Sequence, residues 1–391
     1  MGKIYLKNGT VSTGIANLEN NTVIIEDEKI ADVINEKRFN ERTLGPDDKV
    51  IDVKDAYIAP GFIDTHIHGL HGHDTTDATP KAIHEMSKAL IKYGVTSFCP
   101  TIYPQAEDDM IKSIKNIVEV MGNEEGAEIL GMHLEGPFIS RDKLGVMKKE
   151  HLREVDLDLM NKLYEAAEGN IAIMTVAPEI KNMRDLALFG TKNGIVMAAG
   201  HSNAHYENMV EGMQAGILHS THFFNAMRRL HHRDPGVVGG IMIHPNISCE
   251  IIADGHHVHP AIIKLLLRVK PINKLVLVTD ALKPTGQQDG ILEANNEEVY
   301  LSDGLFRRKE DDTIAGSGLT MIKGVEYLHN EIDLPIVDAV KMAACNPATV
   351  ISQQFNKGYI IPGKHADITV FDEDFNVKMV MKKGKILSKN L

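Results

Sequence analysis

The sequence predicts an α/β fold: a closed (β/α)8 barrel of the TIM type with a small β-sandwich module formed from both chain termini. Two observations predict it. Short apolar, β-branched runs alternate with amphipathic stretches of helix length through the middle of the chain. Strand-and-turn patterns occupy both ends. We expect residues 1–55 and 356–391 to form the β module and residues 56–355 to form the barrel.

Each end of the chain has the pattern of short strands joined by turns. Residues 4–11 contain the pair Asn8-Gly9, a strong hairpin signal. Residues 376–387 contain a Lys-Gly pair that marks another turn. Neither end alone can bury enough apolar surface to be stable. We therefore expect the two ends to pair in one module.

The middle of the chain contains eight short apolar runs, separated by segments with apolar residues at helical spacing. Eight buried strands alternating with helices favour a closed parallel barrel. The alternative is an open doubly wound sheet, and no Gly-rich dinucleotide-binding fingerprint follows the first run to support it. The runs cover residues 56–64, 94–101, 128–136, 170–179, 194–202, 216–224, 246–255 and 273–281.

The composition of the chain indicates which classes of partner it can bind and in which compartment it resides. The chain has 42 Lys and Arg against 54 Asp and Glu, a formal charge of −12, which argues against a nucleic-acid partner but not against a small phosphorylated substrate. The 3 cysteines show no metal-type spacing and suggest a reducing compartment. The first residues lack a signal-peptide pattern, and no apolar run approaches the ~20 residues that span a bilayer. We expect a cytoplasmic protein without membrane contact.

Ionisable side chains close or follow six of the eight runs. In a parallel barrel the carboxyl ends of the strands meet at one face, where function resides. His66 and His68, two residues apart in an extended segment, project to the same side and can both reach one metal ion. So many converging ionisable groups would be costly without a metal or substrate, and N and O ligands favour a divalent ion such as zinc, iron or manganese. The groups are His66 and His68, His133 and Glu135, His201, His222, Asp254 with His256 and His257, and Asp280.

Eight segments resemble, in order, the motifs of the N-acetylglucosamine-6-phosphate deacetylases, a family of the amidohydrolase superfamily. An HxH pair with a later Asp is common to many amidohydrolases, whereas HLEGP and FNAM together are strongly specific. The resemblance extends over nearly the whole chain, including both terminal β segments. The eight segments are PGFIDTHIHG, HLEGPF, AGHSNA, THFFNAM, RDPGVVG, ADGHHVHP, LVTDA and AGSGLTMI.

The resemblance implies a metal centre at the barrel mouth. Glu135, His201 and His222 match the ligands of the principal ion. His66 and His68 match the first-strand ligands of a second ion, so one or two ions per subunit are implied, with Glu135 as the bridge. The resemblance also suggests a homodimer.

The implied reaction is hydrolysis of the acetamide of N-acetylglucosamine 6-phosphate to glucosamine 6-phosphate and acetate by a metal-bound hydroxide. Asp280 matches the catalytic acid/base, which takes a proton from the water and delivers it to the departing amine. His257 matches a substrate-binding histidine that supports the developing oxyanion. Arg233 matches the arginine that contacts the phosphate. Further matching substrate positions are Val146, Met147, Asn225, Ala226, Ile314, Ala315 and Gly316.

The chain departs from the family pattern at one place. After HLEGP, family members often carry a Gly-Ala-His-like element that reaches the sugar, whereas Val146 and Met147 stand at the matching positions here. That contact is therefore either made by the backbone or absent.

Three other functions stay open. A deacetylase of N-acetylgalactosamine 6-phosphate would share almost every motif. Another amidohydrolase, acting on a cyclic amide, would commonly bridge its metals with a carboxylated lysine after the fourth strand, and the fourth run ends without lysine. An amidohydrolase-like scaffold that has lost its metal would lack ligands that this chain retains.

Overall fold

The computed structural model describes residues 2–295, 297–302 and 304–391. The strands are β1 (Ile4–Ser12), β2 (Asn17–Glu26), β3 (Lys29–Asn35), β4 (Lys49–Asp52), β5 (Tyr57–Pro60), β6 (Phe62–Ile67), β7 (Gly69–Leu70), β8 (His73–Asp74), β9 (Val95–Ile102), β10 (Glu128–Ile129), β11 (Met132–Glu135), β12 (Ile171–Val176), β13 (Val196–Ala199), β14 (Ile217–Ser220), β15 (Ser248–Ile251), β16 (Leu275–Leu277), β17 (Gly290–Ala294), β18 (Glu297–Ser302), β19 (Leu305–Arg308), β20 (Ile368–Phe371), β21 (Val377–Lys382) and β22 (Lys385–Lys389).

The helices are α1 (Glu36–Asn40), α2 (Pro80–Ile91), α3 (Glu107–Val120), α4 (Leu157–Ala166), α5 (Met183–Lys192), α6 (Tyr206–Gln214), α7 (Gly236–Ile243), α8 (Pro260–Val269), α9 (Met321–Asn330), α10 (Ile336–Val340) and α11 (Asn346–Val350). The described part of the chain contains no helix whose length and apolar character would let it cross a bilayer.

The predicted (β/α)8 barrel is confirmed. Strands β6, β9, β11, β12, β13, β14, β15 and β16 pair in that order, each parallel to the next. The seam between the last and first strands is joined beyond β16, where Asp280 N donates to His66 O at 2.8 Å and His68 N donates to Ala281 O at 2.9 Å. The backbone bonds that close the barrel thus lie beside predicted site residues.

The two chain ends pair in a separate mixed sheet, as expected. Its strand order is β22-β21-β20-β5-β1-β2-β3, with β4 added to β1. Antiparallel pairing of β20 with β5 joins the C-terminal segment to the N-terminal one. One apolar cluster, which includes Val11, Ile30, Ile58 and Val370, fills the space beneath this sheet. It is separate from the main cluster around the barrel.

The first predicted apolar run contains two strands rather than one. Tyr57–Pro60 belongs to the terminal sheet, and Phe62–Ile67 opens the barrel. Gly61 lies between them, where a Cβ would stand 2.2 Å from Thr96 Oγ1. Because only glycine permits this close approach, the chain can pass directly from one sheet to the other.

The helices around the barrel form where capping residues and apolar spacing coincide. Helix α2 is an example: the Thr79 side chain accepts a hydrogen bond from Ala82 N, and Pro80 occupies the first turn. Ile83 and Met86 on its inner face are buried in the main core. The helix thereby covers the outside of the neighbouring strands.

A small three-stranded antiparallel sheet, β17-β18-β19, follows the last barrel strand. No pattern noted in the sequence predicts this sheet. Leu301 and Phe306 of this sheet pack in an apolar cluster with Tyr103, Met147 and Leu282. The sheet therefore packs against residues at the barrel mouth and forms part of its surroundings.

Candidate metal centre and substrate cleft

A cleft of about 430 Å³ opens at the carboxyl ends of the barrel strands. This is the face at which barrels of this class carry function. Ionisable groups lie at its base, and segments from three loops surround it. The lining residues that matter below are His68, Tyr103, Glu135, Lys143, Val146, Met147, His201, His222, Asn225, Ala226, His257, Asp280, Leu282, Ile314 and Gly316.

The first group of candidate ligands consists of Glu135, His201 and His222, which follow or end strands β11, β13 and β14. Oε1 of Glu135 lies 3.1 Å from His201 Nε2 and 3.0 Å from His222 Nε2. The two imidazole Nε2 atoms are 3.0 Å apart. All three side chains are buried. Their mutual distances place three ligand atoms around one point.

The second group consists of His66, His68 and Asp280. Nε2 of His66 and Nε2 of His68 are 3.3 Å apart, and they lie 3.5 and 3.3 Å from Asp280 Oδ1. Oε2 of Glu135 lies 3.2 Å from His68 Nε2. Oε1 of Glu135 also lies 3.6 Å from His66 Nε2, so the carboxylate faces both groups, as a bridging carboxylate would.

Three of these residues have backbone conformations that L-residues rarely adopt. The φ angles are +44° at His201, +25° at His222 and +51° at Asp280. Such conformations cost of order 1–3 kcal/mol each and cluster at functional sites. Each one follows a barrel strand and turns a side chain into the cleft.

The tautomers of two histidines fit a cation between the groups. Nδ1 of His201 donates to the Lys143 carbonyl at 2.8 Å, and Nδ1 of His66 donates to Glu250 Oε2 at 2.9 Å. In its neutral form each of these rings carries a lone pair on Nε2, which is directed into the cluster. Two imidazole Nε2 atoms only 3.0 Å apart, next to the carboxylate of Glu135, form a set of N and O donors that suits a divalent ion.

The electrostatics of the base of the cleft support the same conclusion. Burial alone lowers the pKa of His66, but the charges of Asp280, Glu250 and Glu135 outweigh it and raise that pKa well above its usual value. The cause is a strongly negative potential, which stabilises a bound cation as it stabilises a proton. The donor set therefore fits a divalent metal.

Both carboxylates of the centre are held ionised. Burial alone raises the pKa of Glu135, but the charge of His66 and hydrogen bonds from His201 and His222 bring it well below the usual range. For Asp280, burial again raises the pKa, and the charge of His66 with the hydrogen bond from His68 lowers it below its ordinary value. An ionised Asp280 can accept a proton.

Beneath the ligands lies a second layer of buried polar residues. Asp64 Oδ2 accepts from Thr279 Oγ1 at 2.6 Å, and burial raises the pKa of Asp64 to about 7. His133 bonds Thr65 O at 3.1 Å and Thr175 Oγ1 at 2.8 Å. Burial lowers the pKa of His133 to about 3, so its ring is neutral. The His133 ring and the Asp64 carboxyl group thus both have hydrogen-bond partners within the protein.

His257 lines the cleft and is oriented by Asp254. The Asp254 carboxylate accepts from His257 Nδ1 at 2.6 Å. Burial lowers the pKa of His257, but the hydrogen bond and charge of Asp254 outweigh it and raise that pKa above the usual value. Nδ1 is thus engaged by Asp254, and the backbone of Gly316 also hydrogen-bonds the ring.

The structure brings most of the predicted substrate positions to the cleft. Val146, Met147, Asn225 and Ala226 line it. Ile314 and Gly316 do so as well. The other two predicted positions, Ala315 and Arg233, are not among the lining residues.

Ala315 is buried in the apolar cluster beside Phe306 and is not among the lining residues. Arg233 is exposed and lies outside the lining, where its Nη1 is 2.9 Å from His232 Nε2. Their roles toward substrate stay predictions.

Several lining or supporting residues were not singled out from the sequence. Tyr103 stacks on His68 with ring centroids 3.8 Å apart, and Leu282 lies beside it. Glu250 is fully buried under the centre. An acidic residue inside an otherwise apolar strand run was the available signal for Glu250. Tyr103 offered none, because its position beside His68 depends on the pairing of two strands.

Comparison with known proteins identifies the family to which this chain is similar. The sequence model described as "Amidohydrolase family" matches residues 57–387. The chain is 34% identical to the N-acetylglucosamine-6-phosphate deacetylase of Bacillus subtilis (strain 168) over 388 residues, covering 98% of this chain and 96% of that protein. It is also 34% identical to the Homo sapiens protein of the same name over 361 residues, covering 89% and 87%.

Solved structures give the same result. The N-acetylglucosamine-6-phosphate deacetylase of Pasteurella multocida matches with a TM-score of 0.92 and 28% identity, covering 98% of this chain and 99% of that chain. A mutant of the Mycobacterium smegmatis deacetylase, in complex with N-acetyl-D-glucosamine-6-phosphate, matches with a TM-score of 0.91 and 27% identity, covering 100% of each chain.

Proposed function

The chain belongs to the amidohydrolase family, and within it to the N-acetylglucosamine-6-phosphate deacetylases; from that premise we propose that it hydrolyses the acetamide of N-acetylglucosamine 6-phosphate. The products are glucosamine 6-phosphate and acetate. The family assignment confirms the resemblance recognised in the sequence motifs.

One observation supports the reaction above all others. Glu135 presents Oε1 to His201 and His222 and Oε2 to His68, while Asp280 stands beside His68 at the base of an open cleft. An ionised carboxylate next to a metal-ligand cluster is what hydrolysis of an amide requires, since the attacking water must lose a proton.

We assign Glu135, His201 and His222 as ligands of the principal ion, and His66 and His68 as ligands of a second. One or two divalent ions, such as zinc, iron or manganese, would then bind in each subunit. A divalent ion held by these residues would lower the pKa of water from about 15.7 toward about 7 and would polarise the acetyl carbonyl.

Asp280 moves the proton. Its carboxylate accepts the proton of the attacking water and then delivers it to the nitrogen of the departing amine, so the C–N bond breaks without expelling an amide anion. The ordinary pKa of an aspartate side chain lies well below neutrality, so Asp280 is ionised for the first step. Its position beside His68 Nε2 places it within reach of the base of the cleft.

His257 and the loop residues position the substrate. With Nδ1 held by Asp254, the His257 ring exchanges its contact with the Gly316 backbone for a hydrogen bond to the amide oxygen or a sugar hydroxyl, and so supports charge on that oxygen. Val146, Met147 and Ile314 supply apolar surface for the sugar. In this proposal the Arg233 guanidinium binds the 6-phosphate, with the backbone around Asn225.

Oligomeric state and location are also proposals. We propose that the chain forms a homodimer, because of its sequence resemblance to the family. We also propose that it is cytoplasmic, because of its composition. Sedimentation velocity of the purified chain measures the first, and fractionation of cells expressing it measures the second.

Acetate release from the metal-loaded protein tests the proposed reaction. The substrates are N-acetylglucosamine 6-phosphate, its galacto epimer, unphosphorylated N-acetylglucosamine and a cyclic amide. We expect the first to give the highest kcat/KM and chelation to abolish turnover, with recovery on addition of the divalent ion. Failure of the metal-loaded protein to release acetate from either amino-sugar phosphate would reject the proposal.

A further inference from the structure

Glu250 is a fully buried carboxylate at the third position of barrel strand β15. Nothing in the proposed reaction uses it directly. An unpaired charge at such a place would cost several kcal/mol, so its contacts must compensate for the lost hydration. Those contacts lead to both ligand groups.

One oxygen of Glu250 joins the two groups. Oε2 accepts from His66 Nδ1 at 2.9 Å and from the backbone N–H of His222 at 3.0 Å. The first contact fixes the ring of a ligand in the second group. The second fixes the backbone of a ligand in the first group, at a residue whose φ is strained.

The other oxygen is held by the barrel interior. Oε1 of Glu250 lies 3.3 Å from His219 Nε2, and His219 Nδ1 lies 2.7 Å from Ser248 Oγ. His219 is itself fully buried. Glu250 therefore has its own support and cannot swing away from His66 without breaking a second buried contact.

His66, His133 and Glu250 are also close enough together to suggest a third metal site. The hydrogen bonds argue against that reading. Both ring nitrogens of His133 are engaged, one with Thr65 O and the other with Thr175 Oγ1. No lone pair of His133 is left to meet an ion, so Glu250 acts as a hydrogen-bond acceptor there.

We propose that Glu250 is the positioning residue that couples the two halves of the metal centre. By holding Nδ1–H of His66 it directs His66 Nε2 toward His68, Glu135 and Asp280, and by holding the His222 backbone it sets the distance to the Glu135 group. The inference rests on the metal centre of the proposed function. Carboxylates that orient metal-binding histidines typically change metal affinity 10–100-fold when removed.

Titration of metal-free protein with Co²⁺, read by its visible absorption and by bound metal per chain, tests the role without an activity assay. We expect wild type to bind two ions. Glu250→Leu should bind the second ion about 10–100-fold more weakly, with a changed Co²⁺ spectrum. Glu250→Asp keeps the charge but is one methylene group too short to reach both donors, so it should resemble Glu250→Leu. Glu250→Gln keeps the acceptor oxygen and should lie nearer to wild type.

Two comparisons separate positioning from general damage. In a His66→Ala background the second ion is already lost, and Glu250→Leu should then weaken the remaining ion, because its contact with the His222 backbone is removed as well. Asp367→Asn removes the charge of another buried carboxylate, which pairs with Lys357 at 2.6 Å and does not belong to the metal centre. This variant should leave Co²⁺ binding unchanged.

Specific outcomes would overturn the inference. They are wild-type Co²⁺ binding in Glu250→Asp, or a loss in Glu250→Gln as large as that in Glu250→Leu. Wild type binding only one ion would also overturn it, yet would leave the deacetylase proposal standing if acetate is released. Conversely, two bound ions with no acetate release would reject the proposed reaction alone.

Discussion

Oδ1 of Asp280 lies 3.3 Å from Nε2 of His68, and this contact joins the segment after the last barrel strand to the segment after the first. The same seam carries the backbone hydrogen bond from Asp280 N to His66 O. The backbone contacts that close the barrel therefore also position Asp280, the proposed proton carrier. Any change that opens this seam should impair both the fold and the reaction.

Replacing Asp280 by Asn should remove the proton acceptor while preserving the shape of the site. We expect kcat to fall by about 10²–10⁴-fold, the contribution of a positioned acid/base. Metal content by elemental analysis should stay near wild type, because the assigned ligands of both ions remain. Asp158→Asn, at the exposed start of helix α4, is the matched control and should keep full activity. Near-normal turnover in the Asp280 variant would remove Asp280 from its role.

The two ligand groups should be separable by single substitutions. His66→Ala should reduce bound metal to about one ion per chain, with affinity at that position lower by at least the 10–100-fold seen for outer-shell changes. His201→Ala should instead weaken the ion held with Glu135 and abolish acetate release. His84→Ala, on helix α2 outside the cleft, is the control. Equal metal loss in both variants would argue against two distinguishable positions.

Arg233 should matter only for the phosphorylated substrate. A charge-assisted hydrogen bond to phosphate contributes about 1.5–3 kcal/mol, so Arg233→Ala should raise KM for the 6-phosphate by about 10–100-fold. The kcat/KM for unphosphorylated N-acetylglucosamine should not change. Arg229→Ala, an exposed neighbour, should leave both substrates unaffected. An equal loss with and without the phosphate would reject the assigned contact.

The ion pair between the terminal sheet and the barrel should make stability depend on acid pH. Burial alone raises the pKa of Glu128, but Lys357 at 2.6 Å and Lys383 at 2.9 Å outweigh it and lower the pKa to about 2. Since the folded value lies below the usual 4.5, the stabilisation is present above about pH 4.5 and disappears as pH falls toward 2.

Glu128→Gln should therefore flatten the pH dependence of the free energy of unfolding. The expected difference from wild type is on the order of 2 kcal/mol above pH 4.5 and vanishes near pH 2. Urea unfolding of metal-free protein across this range measures it. Glu125→Gln, in an exposed pair with Lys88, should change the curve little. A constant difference at every pH would mean that the charge of Glu128 is not its cause.

The apolar pattern of the sequence was sufficient to predict the barrel, but it did not resolve every strand. Each of the eight apolar runs overlaps a barrel strand, because burial on both faces selects apolar, β-branched residues. The first run also contains Tyr57–Pro60, which hydrogen-bonds to β20 of the terminal sheet. Both segments are buried and apolar, so their pattern is the same. The choice between the sheets depends on partners elsewhere in the chain.

The strands β17, β18 and β19, by contrast, have no apolar run in the sequence that would predict them. They are short, partly exposed and charged, with residues such as Glu298 and Arg307 facing out. Their stability comes from Leu301 and Phe306 packing against Met147 and Tyr103. A pattern that depends on a distant cluster leaves little trace in local periodicity.

The amino-acid sequence by itself determined the eightfold strand and helix alternation, the pairing of the two chain ends, and the placement of histidines and acids after strands. Local periodicity and the shared carboxyl face of a parallel barrel are enough for those conclusions. Only the tertiary structure decided that Glu135 lies between the two histidine pairs, that Glu250 reaches His66 and His222, and that Arg233 lies outside the cleft lining. These relations join residues from different strands, and their distances follow from barrel closure and side-chain packing rather than from spacing along the chain.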